Sequence, residues 1–363
     1  MNIIALLRRM AECGASDLYL TSGLPATWRA DKIVEQGDEV LTNVNIQDMA
    51  EAILSKEDLA SLPKNKELNL AYRDTNGERY RINIFYQMQN LGMVIRRVNT
   101  QIPTIDDYNL DDIYKTSIMK HSGLILVVGP AGSGKSTSIA AMLEHRNKHG
   151  DGHIITIEDP VEFVHQHDKC IFTQRDIGID TNSWDEALKN TLRQRPDVIY
   201  IGEIRDHKTM QHALDYAETG HLCISTLHAP SASQAIERIA NLAPEAENKQ
   251  RLYTLSQTLR AIIAQRLVPS IDGESRVLAT EILRNEGLMR SLIAAGNVEE
   301  IKELMYKNND IGMMTFEQSL RHLYKTGKIS KETAVTASEN PDNMKLELMK
   351  EGFGSQKFNG SDF

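Results

Sequence analysis

Two kinds of hydrophobic pattern divide the chain near residue 100. At the amino end, the apolar stretch Met1-Asn2-Ile3-Ile4-Ala5-Leu6-Leu7 is cut off by Arg8 and Arg9, which predicts an amphipathic helix rather than a signal peptide. A strand-like piece at residues 17–20 and a helix over residues 46–60 are predicted to follow. Residues 79–85 and 93–98 then alternate in the manner of paired half-buried strands, with Asn76-Gly77 supplying a turn before the first of them. These elements make a small α+β domain over residues 1–98. Residues 99–104 read as a linker, held extended by Pro103. Beyond them the pattern changes to unbroken apolar runs at 124–128, 154–157, 198–201 and 222–225, separated by helical stretches. Short runs without alternation belong to strands buried on both faces, so a mainly parallel sheet is expected. The pattern is helical from about residue 285, and residues 351–363 are polar and glycine-containing, as expected of a disordered tail.

The first buried run leads directly into Gly129-Pro130-Ala131-Gly132-Ser133-Gly134-Lys135-Ser136, followed by Thr137 and a helical pattern. This is a complete phosphate-binding loop in the required strand–loop–helix context. Glycines let backbone N–H groups point at phosphate oxygens, and the opening helix offers its positive end. Lys135 is placed to reach the β- and γ-phosphates, and the Ser136 hydroxyl to ligate the accompanying Mg2+. The second domain, residues 105–350, is therefore expected to be a RecA-like ATPase domain that binds ATP.

Three clusters fall where the other buried strands stop, the edge at which an open α/β sheet places its ligand. Glu158, in Thr156-Ile157-Glu158-Asp159-Pro160, is a carboxylate able to orient and deprotonate an attacking water. Glu203, in Gly202-Glu203-Ile204-Arg205-Asp206, stands where a Walker B acid is expected, which makes it the candidate for the Mg2+ shell. His228, closing Ser225-Thr226-Leu227-His228, can hydrogen-bond a γ-phosphate. An isolated strand-end acid or histidine is commonly only a solvated side chain; an intact phosphate loop in the same sheet shifts the balance. His165, His167, His212 and His221 have no metal-ligand spacing and read as ordinary polar residues.

Composition narrows the class. With 363 residues, 41% of them hydrophobic, there is material for two or three cored domains. A net charge of −9 and the lack of a basic tract weigh against nucleic acid as partner, and hence against a DNA translocase or helicase on the same fold. Cys13, Cys170 and Cys223 are too far apart for a C-x-x-C site, which fits a reducing, cytoplasmic compartment. No apolar run reaches the roughly 18 residues of a transmembrane helix.

The order of the glycine-rich loop, the Thr-Ile-Glu-Asp-Pro box, the Gly-Glu-Ile-Arg-Asp strand end and the Ser-Thr-Leu-His box resembles the secretion ATPase superfamily of type IV pilus and type II secretion motors. Ala15-Ser16-Asp17-Leu18, Arg79-Tyr80-Arg81-Ile82-Asn83 and Ile102-Pro103-Thr104-Ile105-Asp106 extend the likeness to its pilus-retraction branch along nearly the whole chain. Principal retraction motors carry Ala-Ile-Arg-Asn-Leu-Ile-Arg-Glu-Gly-Lys where this chain reads Gly287-Leu288-Met289-Arg290-Ser291-Leu292-Ile293-Ala294-Ala295-Gly296-Asn297, with several charges missing. Residues 152–155, 164–167, 217–223 and 300–305 resemble accessory members of the branch instead. The resemblance implies a PAS-like amino-terminal domain and a homo-hexameric ring that hydrolyses Mg2+-ATP between its two domains. It also implies a cytoplasmic position at the pilus base, with a principal retraction motor and an inner-membrane pilus platform protein as partners. Arg81 and Arg96 match the arginines that complete the phosphate site in this family; Arg97 points to the opposite face from Arg96. A non-hydrolysing regulatory subunit is the other reading, against which intact Lys135, Glu158 and Glu203 weigh.

Overall fold

A computed structural model describes residues 2–30, 33–98 and 101–354. By contacts the chain forms two compact units. One contains residues up to Ile102 together with 158–166 and 174–183; the other contains the remainder from Pro103 onward. The second unit is therefore not one uninterrupted stretch.

The first unit carries a six-stranded sheet of β1 (Asp17–Thr21), β2 (Pro25–Ala30), β3 (Ile33–Val40), β4 (Glu67–Arg73), β5 (Arg79–Gln87) and β6 (Asn90–Val98), in the order β3-β2-β1-β6-β5-β4. All the neighbouring pairs are antiparallel. Along β5, Tyr80, Ile82 and Ile84 are buried while Arg79, Arg81 and Asn83 lie on the other face, the period of two that the sequence predicts. The helix Ile3–Glu12 buries Ile3, Leu6, Leu7 and Met10 against this sheet's core, and Asn2 caps it by accepting the Ile4 N–H.

The helix expected over residues 46–60 is two helices, Asn43–Glu51 and Lys56–Asn65. Ser55 starts the second by accepting the Asp58 N–H, so a polar side chain competing for backbone donors interrupts an otherwise continuous helical pattern. Asn76-Gly77 turns β4 into β5, with the Asp74 carboxylate accepting the N–H groups of Asn76 and Glu78. The β5–β6 turn rests on Met88 and Gln89, both at positive φ. Neither residue type announces such a turn.

A seven-stranded sheet, in the order β13-β12-β7-β11-β10-β8-β9, is formed by β7 (Gly123–Val128), β8 (Gly152–Glu158), β9 (Cys170–Asp176), β10 (Val198–Ile201), β11 (Leu222–Leu227), β12 (Leu259–Pro269) and β13 (Arg276–Arg284), all in the second unit except Glu158 at the end of β8 and residues 174–176 of β9. The run from β12 through β7, β11 and β10 to β8 is parallel; β13 returns antiparallel to β12. Every residue of β7, β10 and β11 is buried, which explains their uninterrupted apolar sequences. The β12–β13 hairpin was not among the expected strands, because Arg260, Gln265, Arg266 and Glu281 break its apolar pattern. Five helices between Met289 and Gly354 complete the chain. Of the tail expected to be disordered from residue 351, residues 351–354 belong to the helix Pro341–Gly354, and residues 355–363 lie outside the described ones.

Candidate functional site at the carboxyl edge of the parallel sheet

The loop after β7 is a backbone cradle. Gly129, Gly132 and Gly134 have φ of 152°, 73° and 86°, conformations that L side chains rarely adopt. Gly129 is the most constrained, since a Cβ there would collide with the Gln265 carbonyl oxygen on β12 and the Ser133 hydroxyl. Gly134 precedes the helix Lys135–His149 without contributing a side-chain cap, and the positive end of that helix opens at the loop. Lys135 is largely buried, and its Nζ donates to the carbonyl oxygens of Gly129 at 2.9 Å and Pro130 at 2.8 Å, curling over the loop it serves. Ser136 and Thr137 are half-buried in the helix's first turn, whereas Pro130, Ala131 and Gly132 are exposed at the loop's crest. From beneath, Gln265 donates to the Ser138 hydroxyl and to the Tyr114 hydroxyl, each at 2.7 Å, tying helix and loop to β12.

The neighbouring strand ends are stitched together by hydroxyls. Ser225 Oγ donates to the Ile201 carbonyl at 2.7 Å and Thr226 Oγ1 to the Gly202 carbonyl at 2.6 Å, while the Ile204 N–H reaches the Thr226 carbonyl at 2.9 Å. On the other side of β10, the Gly202 N–H donates to the Ile157 carbonyl at 2.8 Å. Glu158, Glu203 and His228 thus leave β8, β10 and β11 at one edge of the sheet, the edge at which β7 delivers the glycine-rich loop. Glu158 is buried, Glu203 half-buried and His228 exposed.

Glu203 and His228 are brought into direct contact. His228 Nε2 lies 3.1 Å from Glu203 Oε1, and Arg205 Nε donates to Glu203 Oε2 at 2.6 Å. Arg205 went unnoticed in the sequence because an arginine in a polar loop is ordinary; only its Nε bond to Glu203 singles it out. Arg81 and Arg96 belong to the first unit, where they face each other across β5 and β6. Arg96 pairs with Asp17 at 2.9 Å and Arg81 lies 4.0 Å from Asp159. Arg97 pairs with Glu78 on the other face. Burial pushes the Asp176 carboxyl up, with Arg81 pulling the opposite way.

Residues 10–350 match the Type II/IV secretion system protein family. The chain belongs to that family. Within it, the chain is 43% identical to the type IV pilus ATPase PilU of Pseudomonas aeruginosa, over 95% of this chain and 91% of that one. It is 36% identical to the retraction ATPase PilT of the same organism, over 94% and 100%. Among solved structures, the pilus retraction motor PilT with bound ADP superposes with a TM-score of 0.88 at 37% identity, covering 95% of this chain and 99% of that one. The family's two-part α/β architecture is thus the architecture found here. Within the described residues no helix is long and apolar enough to cross a membrane.

Proposed function

We propose that this chain is an ATP-hydrolysing motor of type IV pilus retraction, of the accessory kind represented by PilU and working alongside a PilT motor. The observation that carries the reading is the glycine cradle sharing one sheet edge with Glu158, Glu203 and His228, in a chain similar to PilU and PilT from end to end. ATP is the substrate. Loop N–H groups of residues 129–137 and the Lys135 ammonium would take its phosphates. Glu158 would orient the attacking water and accept its proton. The carboxylate and hydroxyl oxygens of Glu203 and Ser136 are donors of the hard kind that Mg2+ prefers, and the cradle admits no side chain at Gly129, so this residue set fits a magnesium nucleotide. Bound there, Mg2+ supplies charge neutralisation at the phosphate oxygens.

His228, held by Glu203, would offer its ring to the γ-phosphate, so that arrival of phosphate or metal at the pair is felt by both β10 and β11. Arg81 and Arg96 would add positive charge to the phosphates, exchanging their present carboxylate partners for phosphate oxygens. A homo-hexamer, a cytoplasmic seat at the inner membrane and contact with the pilus platform protein belong to the same reading and rest on the likeness to pilus motors.

The test measures ATPase activity of the purified chain alone, with PilT and with DNA, together with imaging of labelled pili in cells. Hydrolysis insensitive to DNA, and retraction that weakens under load without this chain but stops without PilT, is the expected result. Sustained retraction driven by this chain in cells lacking PilT overturns the accessory assignment; stimulation by DNA overturns the pilus-motor reading.

A further inference from the structure

Among the described residues of the second unit Glu281 is the most deeply buried acid, 1% exposed near the centre of β13. A carboxylate in such a place costs several kcal/mol unless it is held, so its neighbours are informative. Oε1 accepts the N–H of Ala232 at 2.7 Å, and Ala232 is the first residue of the helix Ala232–Asn241. The N–H of Phe316, first residue of the helix Phe316–Lys325, also faces the carboxyl group. Oε2 has no hydrogen-bond partner at bonding geometry. One side chain therefore stands at the start of two helices whose positive ends converge on it.

The first of those helices is the continuation of the candidate site. Only Ala229, Pro230 and Ser231 separate His228 from Ala232, and Ser231 is itself pinned as the helix cap, accepting the Gln234 N–H. Glu281 also sits in the sheet row that runs through Ala264 of β12 to Val128, the residue before Gly129. It is thus built into the same rigid frame that carries the glycine-rich loop.

We propose that Glu281 is a positioning residue for the reaction: by gripping the Ala232 N–H, it fixes the His228–Ser231 connection against β13 and so holds the His228 ring in register with Glu203. The inference rests on the assignment of His228 to the ATPase site. A displacement of about 1 Å at a reacting group costs up to about 10²-fold in rate, so a loosened connection should register in kcat.

Glu281→Asp withdraws the carboxylate from Ala232 by one methylene, whereas Glu281→Gln keeps an acceptor oxygen in place. Steady-state ATPase at pH 8 should show kcat about tenfold lower for the Asp variant with KM for ATP changed less than about twofold, and near-parental kcat for Gln. Combined with His228→Ala, the Asp change should cost nothing further, because the two act through one group. A residue serving stability alone would lower the melting temperature without this pattern. Parental kcat in Glu281→Asp, a large loss in Glu281→Gln, or additive losses in the double variant would each overturn the proposal. If His228→Ala alone hydrolyses ATP at the parental rate, the assignment of His228 to the site has failed instead, which the single variant reports separately.

Discussion

Replacing Glu281 with glutamine should stabilise the protein, and by an amount that depends on pH. Burial pushes the carboxyl from an ordinary 4.5 up to about 7. Glu339 pushes in the same direction; the N–H groups of Ala232 and Phe316 and the Lys302 ammonium pull the other way without cancelling burial. Lys302 itself is tied to Glu339 and also lies in the field of Glu317, so its charge is shared. In the unfolded chain Glu281 ionises near 4.5, whereas in the folded chain it holds its proton to about 7. Between these values the native state binds more protons than the unfolded state, and stability falls as pH rises. The loss builds up across the interval and is flat above it. A shift from 4.5 to about 7, at about 1.4 kcal/mol per unit, amounts to about 3 kcal/mol. Glutamine has no proton to lose, so the stability difference between variant and parent should climb by about that amount from pH 4.5 to 7 and then level off. Denaturant titrations at half-unit steps would measure it, with Trp184 fluorescence reporting on the second unit in a Trp28→Phe background. Titrations not coupled to Glu281 cancel in the difference. A difference that stays constant over this range, or one that falls, would refute the account of Glu281 as a buried acid carrying its proton.

Lys135→Ala removes the ammonium that is proposed to take the phosphates and should abolish high-affinity ATP binding in calorimetry, while unchanged affinity would sink the loop assignment. Glu158→Gln should leave Mg2+-ATP bound and slow hydrolysis by roughly 10²-fold, as for loss of a general base; a parental rate would move that role to Glu203. Gly129→Ala forces a Cβ onto the Gln265 carbonyl at positive φ, so it should lower stability by more than about 2 kcal/mol and lose nucleotide, whereas Gly132→Ala, with open space around it, should cost only the strain of its backbone, about 1–2 kcal/mol. Comparing the two by thermal melts with and without ATP checks the cradle's geometry.

How much could be read in advance depended on whether a residue's task was local. The glycine-rich loop was legible because its eight contiguous residues make the turn by themselves, and the strands before Glu158, Glu203 and His228 were legible because burial on both faces leaves an unbroken apolar run. The β12–β13 hairpin was not, although it supplies the loop's floor. Gln265 interrupts it to bond Ser138 and Tyr114, 127 and 151 residues away, and no short-range pattern encodes such a partner. Glu281 was hidden for the same reason: a glutamate reads as solvated until the fold closes over it. The Met88-Gln89 turn shows the opposite case, in which strand pairing over β5 and β6 imposes positive φ on residues with no preference for it. Arg81 and Arg96 were singled out by their match to the family's arginines, with alternation setting only Arg97 apart, but their carboxylate partners Asp159 and Asp17 come from distant segments.

Glu203 carries the most consequential geometry at the sheet edge, because both of its oxygens are already engaged. Oε1 meets His228 and Oε2 meets Arg205, so a metal bound to Glu203 has to share or displace one of them. The two contacts are unequal. Arg205 is more than half exposed, and solvent can replace its partner at little cost, whereas His228 is held from behind by the connection that ends at Ala232 and Glu281. Displacement should therefore begin at Arg205, leaving the Glu203–His228 pair intact as the nucleotide enters. Arg205→Ala then has a defined expected outcome: Mg2+ affinity in the presence of ATP rises, since a competitor for the carboxylate is gone, while kcat stays within a few-fold of the parent. A fall in Mg2+ affinity, measured as the Mg2+ concentration for half-maximal ATPase, would mean that Arg205 organises Glu203 for the metal rather than competing with it.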